Sequence, residues 1–115
     1  MQYLLTLYAD ESGWGAMTPE QQQQGMAAYG AYGEALKKAG VLVGSNRLRP
    51  SATATTLRTT DGKIQVLDGP FAESKEQLGG YYLIDVPDLD AAMTWAGRCP
   101  GVQHGTIEVR AIWAM

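Results

Sequence analysis

Three side chains of this sequence are able to move protons or donate hydrogen bonds in a binding site. Asp68 opens the segment 68–71 (Asp-Gly-Pro-Phe) directly after a predicted strand, and Tyr29 lies on the apolar side of a predicted helix. His104, the only histidine, comes just before the last predicted strand. A carboxylate can act as a general base or acid, a phenol can polarise a carbonyl, and an imidazole can exchange protons near neutral pH. We predict these three residues as catalytic candidates.

Each of the three candidates also has a structural interpretation. Asp68 can accept a hydrogen bond from its own backbone in an Asx-type turn, in which Gly69 takes a special backbone angle. Tyr29 can be a core tyrosine whose hydroxyl is satisfied internally. His104, between Gln103 and Gly105, can be a solvated loop residue. Both interpretations of each residue stay open at this point.

A second group of residues is predicted to contact a ligand. It consists of Phe71, Glu73 and Lys75, which follow Asp68 closely, and Arg49, which lies two residues after Arg47. Glu73 and Lys75 can bind a polar substrate or form a solvated surface ion pair of small energy. The two arginines face the same side of an extended segment, and can form an anion site or a charged strand edge that discourages aggregation.

The sequence lacks the motifs of common cofactor sites. There is no phosphate-binding loop, no dinucleotide fingerprint and no nucleophile elbow. A single cysteine, Cys99, and a single histidine cannot form a zinc or iron site, so we predict no metal and no cofactor. Cys99 is predicted to be a packing residue at the end of a helix.

Charge and hydropathy argue against several classes of partner and location. The net charge of −3 and the scattered basic residues argue against binding of nucleic acid. No run of about 20 apolar residues is present and the N-terminus lacks a basic leader, so we predict neither a membrane span nor a signal peptide. One cysteine fits a reducing compartment. We therefore predict a cytoplasmic protein without a membrane partner.

Helix and strand signals alternate along the chain. Thr18 and Gln21 form a capping box, and the helix that they open runs to about Ala39. Asp88 caps a second helix, which ends at Pro100. The remaining apolar and aromatic runs predict six strands, at Tyr3–Tyr8, Val41–Val43, Thr53–Thr60, Lys63–Leu67, Leu78–Val86 and Thr106–Trp113.

Two local predictions can be checked directly against a structure. Asp61-Gly62 is the strongest hairpin signal in the chain, whereas residues 10–15 are predicted as an irregular turn. In the second helix, apolar residues at helical spacing predict a core-facing stripe, made of Leu89, Ala92, Met93 and Ala96.

The order of elements predicts the fold. All 115 residues form one domain, at residues 1–115, in which the β-hairpin interrupts a βαββαβ pattern of the ferredoxin-like α+β class. Two helices cover one face of such a sheet and leave the other face open, so we predict that the open face packs against a second copy. Four aromatic residues are available for that interface: Tyr3, Tyr81, Tyr82 and Trp113.

Residues 68–84, DGPFAESKEQLGGYYLI, resemble the signature of the DGPF branch of the YCII-related family. The similarity continues through Asp85-Val86 to residues 107–110, and upstream it includes residues 39–42 and 48–51. It therefore covers nearly the whole chain. The resemblance implies a dimeric α+β barrel, that is, a homodimer of ferredoxin-like subunits.

The resemblance also bears on function. The same superfamily includes muconolactone isomerases and small monooxygenases, and members of this branch are often encoded near extracytoplasmic-function sigma factors. YCII-like relatives carry a histidine in the first helix that is proposed to pair with an aspartate. Here Tyr29 occupies roughly that place, so the family's proposed His–Asp chemistry does not transfer directly.

Two functions follow as hypotheses. The first is a cofactor-independent enzyme or small-metabolite binder with a cleft near Asp68 and Tyr29. The second is a protein-interaction or regulatory module with a partner linked to sigma factors.

Overall fold

The computed structural model describes residues 1–114. Short 3-10 turns at Ser51–Thr53 and Pro100–Gln103 accompany nine regular elements. In chain order these elements are β1 (Gln2–Ala9), α1 (Glu11–Gly15), α2 (Pro19–Lys38), β2 (Leu42–Arg47), β3 (Thr55–Thr60), β4 (Lys63–Asp68), β5 (Gln77–Asp85), α3 (Leu89–Arg98) and β6 (Thr106–Ala111).

Four strands form one antiparallel sheet in the order β2-β5-β1-β6. Strands β3 and β4 form a separate two-stranded sheet. When this hairpin and the short α1 are set aside, the chain has the βαββαβ order of the ferredoxin-like class. The predicted α+β fold with an inserted hairpin is confirmed.

The two long helices begin where the sequence predicts. In α2 the Thr18 hydroxyl accepts a hydrogen bond from the Gln21 backbone at 3.1 Å, and the Gln21 side chain accepts one from the Thr18 backbone at 3.0 Å. In α3 the Asp88 carboxylate accepts from the Ala91 backbone N–H at 2.9 Å. Both caps satisfy N–H groups that a helix start leaves without partners.

The core lies between the helices and one face of the sheet. Tyr3 of β1 is opposite Ile84 of β5, and Leu5 is opposite Tyr82, so these residues share the helix-facing side. Leu36 of α2 packs against them and is completely buried. Burying each such side chain contributes roughly 1.5–3 kcal/mol, so this layer holds α2 on the sheet.

The opposite face of the sheet is not covered by any described element. The register places Leu4 beside Leu83 and Thr6 beside Tyr81 on this side. The Tyr81 hydroxyl accepts a hydrogen bond from the Asn46 side chain at 2.9 Å, across to β2. Of the four aromatic residues considered for an interface, Tyr81 therefore faces the open side, whereas Tyr3 and Tyr82 face the helices.

The β3–β4 hairpin, which we call the arm, stands apart from the sheet. Its turn has positive φ at both Asp61 (52°) and Gly62 (77°), as a two-residue hairpin turn requires, and the predicted turn is confirmed. The radius of gyration of 16.1 Å exceeds the value of about 13 Å expected for a compact chain of this length. The projecting arm explains this excess.

Two local predictions are wrong. Residues 11–15 form the helix α1 rather than a turn, because the Asp10 carboxylate accepts from the Ser12 N–H at 3.0 Å and caps it. In α3 only the alanines of the predicted stripe are buried, whereas Leu89 and Met93 are 49% and 55% exposed. Small side chains let the helix approach the sheet closely, and the long ones lie at its margins.

Of the helices in residues 1–114, none combines the length and the hydropathy that crossing a membrane requires.

Candidate functional site

A pocket of about 530 Å³ opens on the helix-facing side of the sheet, beside the core. Its walls come from β1, β2, β5, α1, α2 and the turn at Pro100–Gln103. It is lined by Leu7, Tyr8, Ala9, Asp10, Glu11, Trp14, Met26, Tyr29, Ser45, Asn46, Arg47, Leu48, Pro50, Gln77, Gly79, Gly80, Tyr81, Tyr82, Gly101 and His104.

Gly80 of β5 is one of the residues that line the pocket. Gly80 lies between Leu7 of β1 and Arg47 of β2 on the helix-facing side. A Cβ at Gly80 would approach the Asn46 carbonyl oxygen to 2.8 Å, so glycine is required for the close pairing of β2 with β5. Gly80 therefore contributes backbone and no side chain to the lining of the pocket.

A β-bulge decides which residues of β2 face this pocket. The register shifts between Leu42 and Gly44, after which Ser45 lies opposite Tyr82 and Arg47 opposite Gly80. Regular alternation from Leu42 would have turned Ser45 and Arg47 to the other face. The bulge therefore brings a guanidinium to the pocket.

Tyr29 of α2 contributes a phenol to the pocket wall. Its side chain is half-buried, and its hydroxyl forms no hydrogen bond within residues 1–114. The hydroxyl lies close to the backbone of Gly101, where a Cβ would be only 2.8 Å away. Burial raises the pKa of Tyr29, with a smaller increase from Cys99, while the charge of Arg47 opposes the shift. The phenol therefore keeps its proton at neutral pH.

Tyr82 of β5 contributes a second phenol. Burial raises its pKa to about 12, and Cys99 and Tyr29 add to the increase. The ring is held edge-on by Tyr32, with 5.1 Å between centroids and an angle of 86°. The Tyr32 hydroxyl donates to the Trp95 carbonyl at 2.8 Å, whereas the Tyr82 hydroxyl has no partner among the described residues.

Arg47 lies at the mouth of the pocket, over the indole of Trp14. Its guanidinium carbon is 4.9 Å from the ring centroid, within cation–π range. No carboxylate within residues 1–114 forms an ion pair with it. Trp14 belongs to α1, so the helix that the sequence did not predict supplies this wall. Asp10 followed by Glu11, a capping residue and an acidic first turn, was the signal for it.

Two carboxylates in the pocket wall are used for local structure. Both oxygens of Glu11 accept hydrogen bonds from Ser51, one from the backbone N–H at 2.7 Å and one from the hydroxyl at 2.8 Å. Asp10 accepts from the backbone and hydroxyl of Ser12, and these hydrogen bonds lower its pKa. These contacts fasten α1 to the segment that precedes the arm.

His104 lies at the edge of the pocket on an exposed turn. Its backbone N–H donates to the Gly101 carbonyl at 3.2 Å, which ends the 3-10 turn. The imidazole is accessible to both solvent and the pocket. Two of the three predicted catalytic residues, Tyr29 and His104, thus meet in one pocket although 75 positions separate them.

Asp68, the third predicted catalytic residue, lies elsewhere. It ends β4 on the arm, is exposed and does not line the pocket. Its carboxylate has no hydrogen-bond partner within residues 1–114, so the internal bond of an Asx-type turn is not formed. Gly69 does take the special angle, with φ of 104°, and its N–H donates to the Ala54 carbonyl at 2.6 Å.

The four predicted ligand contacts also lie outside the pocket. Phe71, Glu73, Lys75 and Arg49 are all exposed, and none of them lines it. The Phe71 ring is 5.3 Å from the guanidinium carbon of Arg58 on the arm. Of the two arginines, Arg47 lines the pocket and Arg49 does not.

Cys99 packs in the core, as predicted. It is 1% exposed at the end of α3, and burial raises the pKa of its thiol. A protonated, inaccessible thiol is a poor nucleophile. Within the described residues, no three His, Cys, Asp or Glu side chains are grouped so that they could hold a metal ion.

Fold and pocket together define a small ferredoxin-like α+β protein with a ligand-sized cavity under its longest helix. The chain belongs to the YCII-related domain family, whose family model matches residues 1–115. It is 43% identical over 114 residues to an uncharacterized protein of Rhizobium meliloti (strain 1021), an alignment that spans 97% of this chain and 92% of that protein.

A solved structure shares the fold. It is the 5-chloro-2-hydroxyhydroquinone dehydrochlorinase TftG of Burkholderia phenoliruptrix AC1100, in complex with 2,5-dihydroxybenzoquinone. The TM-score is 0.57 with 15% sequence identity, and the alignment spans 98% of this chain and 94% of TftG. This likeness supports the predicted fold.

Proposed function

We propose that this protein binds a small metabolite in the pocket beneath α2 and acts on it as a cofactor-independent enzyme. The observation that carries the proposal is that Tyr29 and His104, from distant parts of the chain, line one cavity with mostly apolar walls. A ligand-sized cavity with a few convergent polar groups is the usual form of a small-molecule site. The volume of about 530 Å³ falls in the range of such sites.

The two residues have complementary roles in this proposal. His104 acts as a general acid or base toward the ligand, since imidazole is the side chain most often used for proton transfer and its exposure allows exchange with solvent. Tyr29 stays protonated, because burial raises its pKa, and donates a hydrogen bond to a ligand oxygen. The compound in complex with TftG, 2,5-dihydroxybenzoquinone, is a small oxygenated ring, a ligand of the kind that such a pocket would hold.

A thermal-shift screen against a metabolite library tests the proposal. A ligand at a hundred times its dissociation constant adds about 2.7 kcal/mol of stability, which raises the melting temperature by several degrees in a domain of this size. We expect hits with the wild type and with Asp68→Asn, and smaller shifts with Tyr29→Phe and His104→Asn. Absence of any hit, or hits abolished only by Asp68→Asn, would contradict a ligand site in this pocket.

We further propose that a second copy covers the open face of the sheet. Leu4, Leu83 and Tyr81 give this face an apolar centre, which favours burial against a partner. Glu108 and Arg110, paired at 2.7 Å on the edge strand β6, give it a polar rim. A self-complementary patch of this kind fits a two-fold dimer.

Sedimentation velocity at micromolar concentration tests the dimer. We expect the wild type to sediment as a dimer and Leu83→Glu to shift toward monomer, because a carboxylate would be buried at the centre of the interface. Leu89→Glu is the matched control, since Leu89 is exposed at the start of α3 on the other side of the sheet. A monomeric wild type would overturn the proposal.

A further inference from the structure

We infer that the pocket is an anion site: Tyr29 and Tyr82 donate hydrogen bonds to the oxyanion of a small aromatic carboxylate or phenolate, and Arg47 supplies the opposing charge. This inference rests on the proposed function and adds the chemical class of the ligand. It is argued from three features of the pocket, namely unused donors, a guanidinium without an ion pair and the aromatic walls.

The first feature is the pair of unused donors. The Tyr29 and Tyr82 hydroxyls line the same cavity, and neither is hydrogen-bonded within residues 1–114. Tyrosine hydroxyls that are partly removed from water normally have a partner, because an unsatisfied one costs free energy. Tyr32, a more deeply buried neighbour, does have its partner in the Trp95 carbonyl. The two pocket hydroxyls are therefore available to a ligand.

The protonation of these hydroxyls fixes the kind of ligand atom they prefer. Burial raises the pKa of both phenols, that of Tyr82 to about 12. At neutral pH both carry their proton, so each can offer an O–H to an acceptor. Hydrogen bonds to a charged acceptor are stronger than those to a neutral one.

The second feature is a guanidinium without an ion pair. Arg47 has no carboxylate partner within residues 1–114, and its charge is close enough to Tyr29 to oppose the rise of that pKa. The nearby carboxylates of Asp10 and Glu11 are held by Ser12 and Ser51. Both carboxylates keep their charge, but their oxygens are occupied by these serine donors. The Arg47 guanidinium forms no ion pair within residues 1–114, so it is free to pair with the anionic group of a ligand.

The third feature is the shape of the walls. The lining of the pocket includes Trp14, Tyr29, Tyr82 and Leu7, which are aromatic or apolar residues. Apolar and aromatic walls favour a flat apolar body, to which the anionic group must be attached. A small aromatic acid or phenol has both parts.

Binding measurements with matched charged and neutral probes test this inference. The probes are benzoate with benzamide, and 4-nitrophenol with 4-nitroanisole. Protein NMR spectra give the dissociation constants and locate each probe. The absorbance of 4-nitrophenol gives a second readout, since a site that prefers the anion increases the yellow phenolate at fixed pH.

We expect the anions to bind at least about tenfold more tightly than their neutral partners. Tyr29→Phe, Tyr82→Phe and Arg47→Gln should each weaken the anions about tenfold and leave the neutral probes nearly unchanged. Tyr3→Phe and Arg49→Gln are matched controls that do not line the pocket and should leave all dissociation constants unchanged. Circular dichroism and melting temperature establish that each variant is folded.

The outcomes separate this inference from the proposed function. Binding of benzoate alone or of the nitrophenolate alone supports the anion site and tells carboxylate from phenolate. Equal binding of charged and neutral probes in the pocket overturns the anion site and leaves a metabolite pocket in place. Absence of binding by all four probes also overturns the anion site, while the library screen decides separately whether the pocket binds metabolites.

Discussion

The pocket and the arm differ in how the sequence encodes them. The pocket takes Tyr29, Arg47, Tyr82 and His104 from four separated elements, and no contiguous motif marks it. The arm ends in the contiguous segment 68–71, the most recognisable part of the chain, yet its side chains are exposed. The segment that is easiest to recognise in the sequence is therefore not one of the segments that line the pocket.

The two regions also differ in packing. The sheet and α2 bury residues such as Leu5, Leu36 and Ile84 completely. One face of the arm carries Leu57, Ile64 and Val66 with 61%, 70% and 62% of their surface exposed, and Phe71 follows at 72%. The arm holds an apolar face that the described chain does not cover. The stability of the domain should therefore depend on the core and hardly on the arm.

Truncation of core and arm residues gives the largest expected contrast. Leu36→Ala should lower the free energy of unfolding by about 2–5 kcal/mol, because it leaves a cavity in a fully buried site. Ile64→Ala should change it by less than about 0.5 kcal/mol, since the side chain is mostly exposed. Urea denaturation measures both. Equal losses would mean that the arm face is buried in the protein in solution.

Adding a side chain at Gly80 should have the next largest effect on stability. Gly80→Ala places a Cβ 2.8 Å from the Asn46 carbonyl oxygen, and the strands must move apart. We expect a loss of about 1–3 kcal/mol, typical of overpacking, and weaker binding of every pocket ligand. The control is Gly44→Ala, on the same sheet, where a Cβ meets no atom within 4 Å. If both variants were equally stable, the pairing of β2 with β5 would be looser than described.

Alkaline pH should destabilise the protein through the core, and the arm should not contribute to this loss of stability. The pKa of Tyr82 is about 12 in the folded protein and about 10 in an unfolded chain. Its contribution to stability is complete below pH 10 and is lost as the pH rises toward 12, since the unfolded chain releases the proton first. The slope of unfolding free energy between pH 10 and 11 should decrease in Tyr82→Phe. An unchanged slope would indicate that this phenol is hydrated.

Changes in the conspicuous segment should have the smallest effect. Asp68→Asn alters an exposed carboxylate without a hydrogen-bond partner in the described chain, so we expect less than about 0.5 kcal/mol in stability and no change in pocket binding. Thermal melts and the probe titrations measure both. Within one chain Asp68 does not line the pocket. A large loss of ligand affinity in this variant would therefore contradict this placement of the arm.

The regulatory hypothesis stays a prediction from the sequence. None of the contacts described above favours a partner linked to sigma factors, and the pocket gives the enzymatic hypothesis a specific place. The proposed self-association of the sheet face is compatible with either hypothesis.

Local signals were enough to predict most of the fold. The capping box of Thr18 and Gln21, the cap at Asp88 and the turn at Asp61-Gly62 are short-range features, and each is present as predicted. The order of helices and strands then leaves few topologies for one domain of this size. Tyr29 could be placed on the inner face of its helix for the same reason, because helical spacing is a local property.

Only the tertiary structure decided which residues share the pocket. Arg47 faces it because a bulge near Gly44 reverses the alternation of β2, and a shift of one residue exchanges the two faces of a strand. Arg49 lies beyond the end of β2 and does not line the pocket. Asp68 lies away from it because the hairpin pairs with itself and not with the sheet. The sequence by itself determined the family, the elements and their ends. Register and the placement of the arm depend on contacts between distant residues, and these brought Tyr29, Arg47, Tyr82 and His104 together.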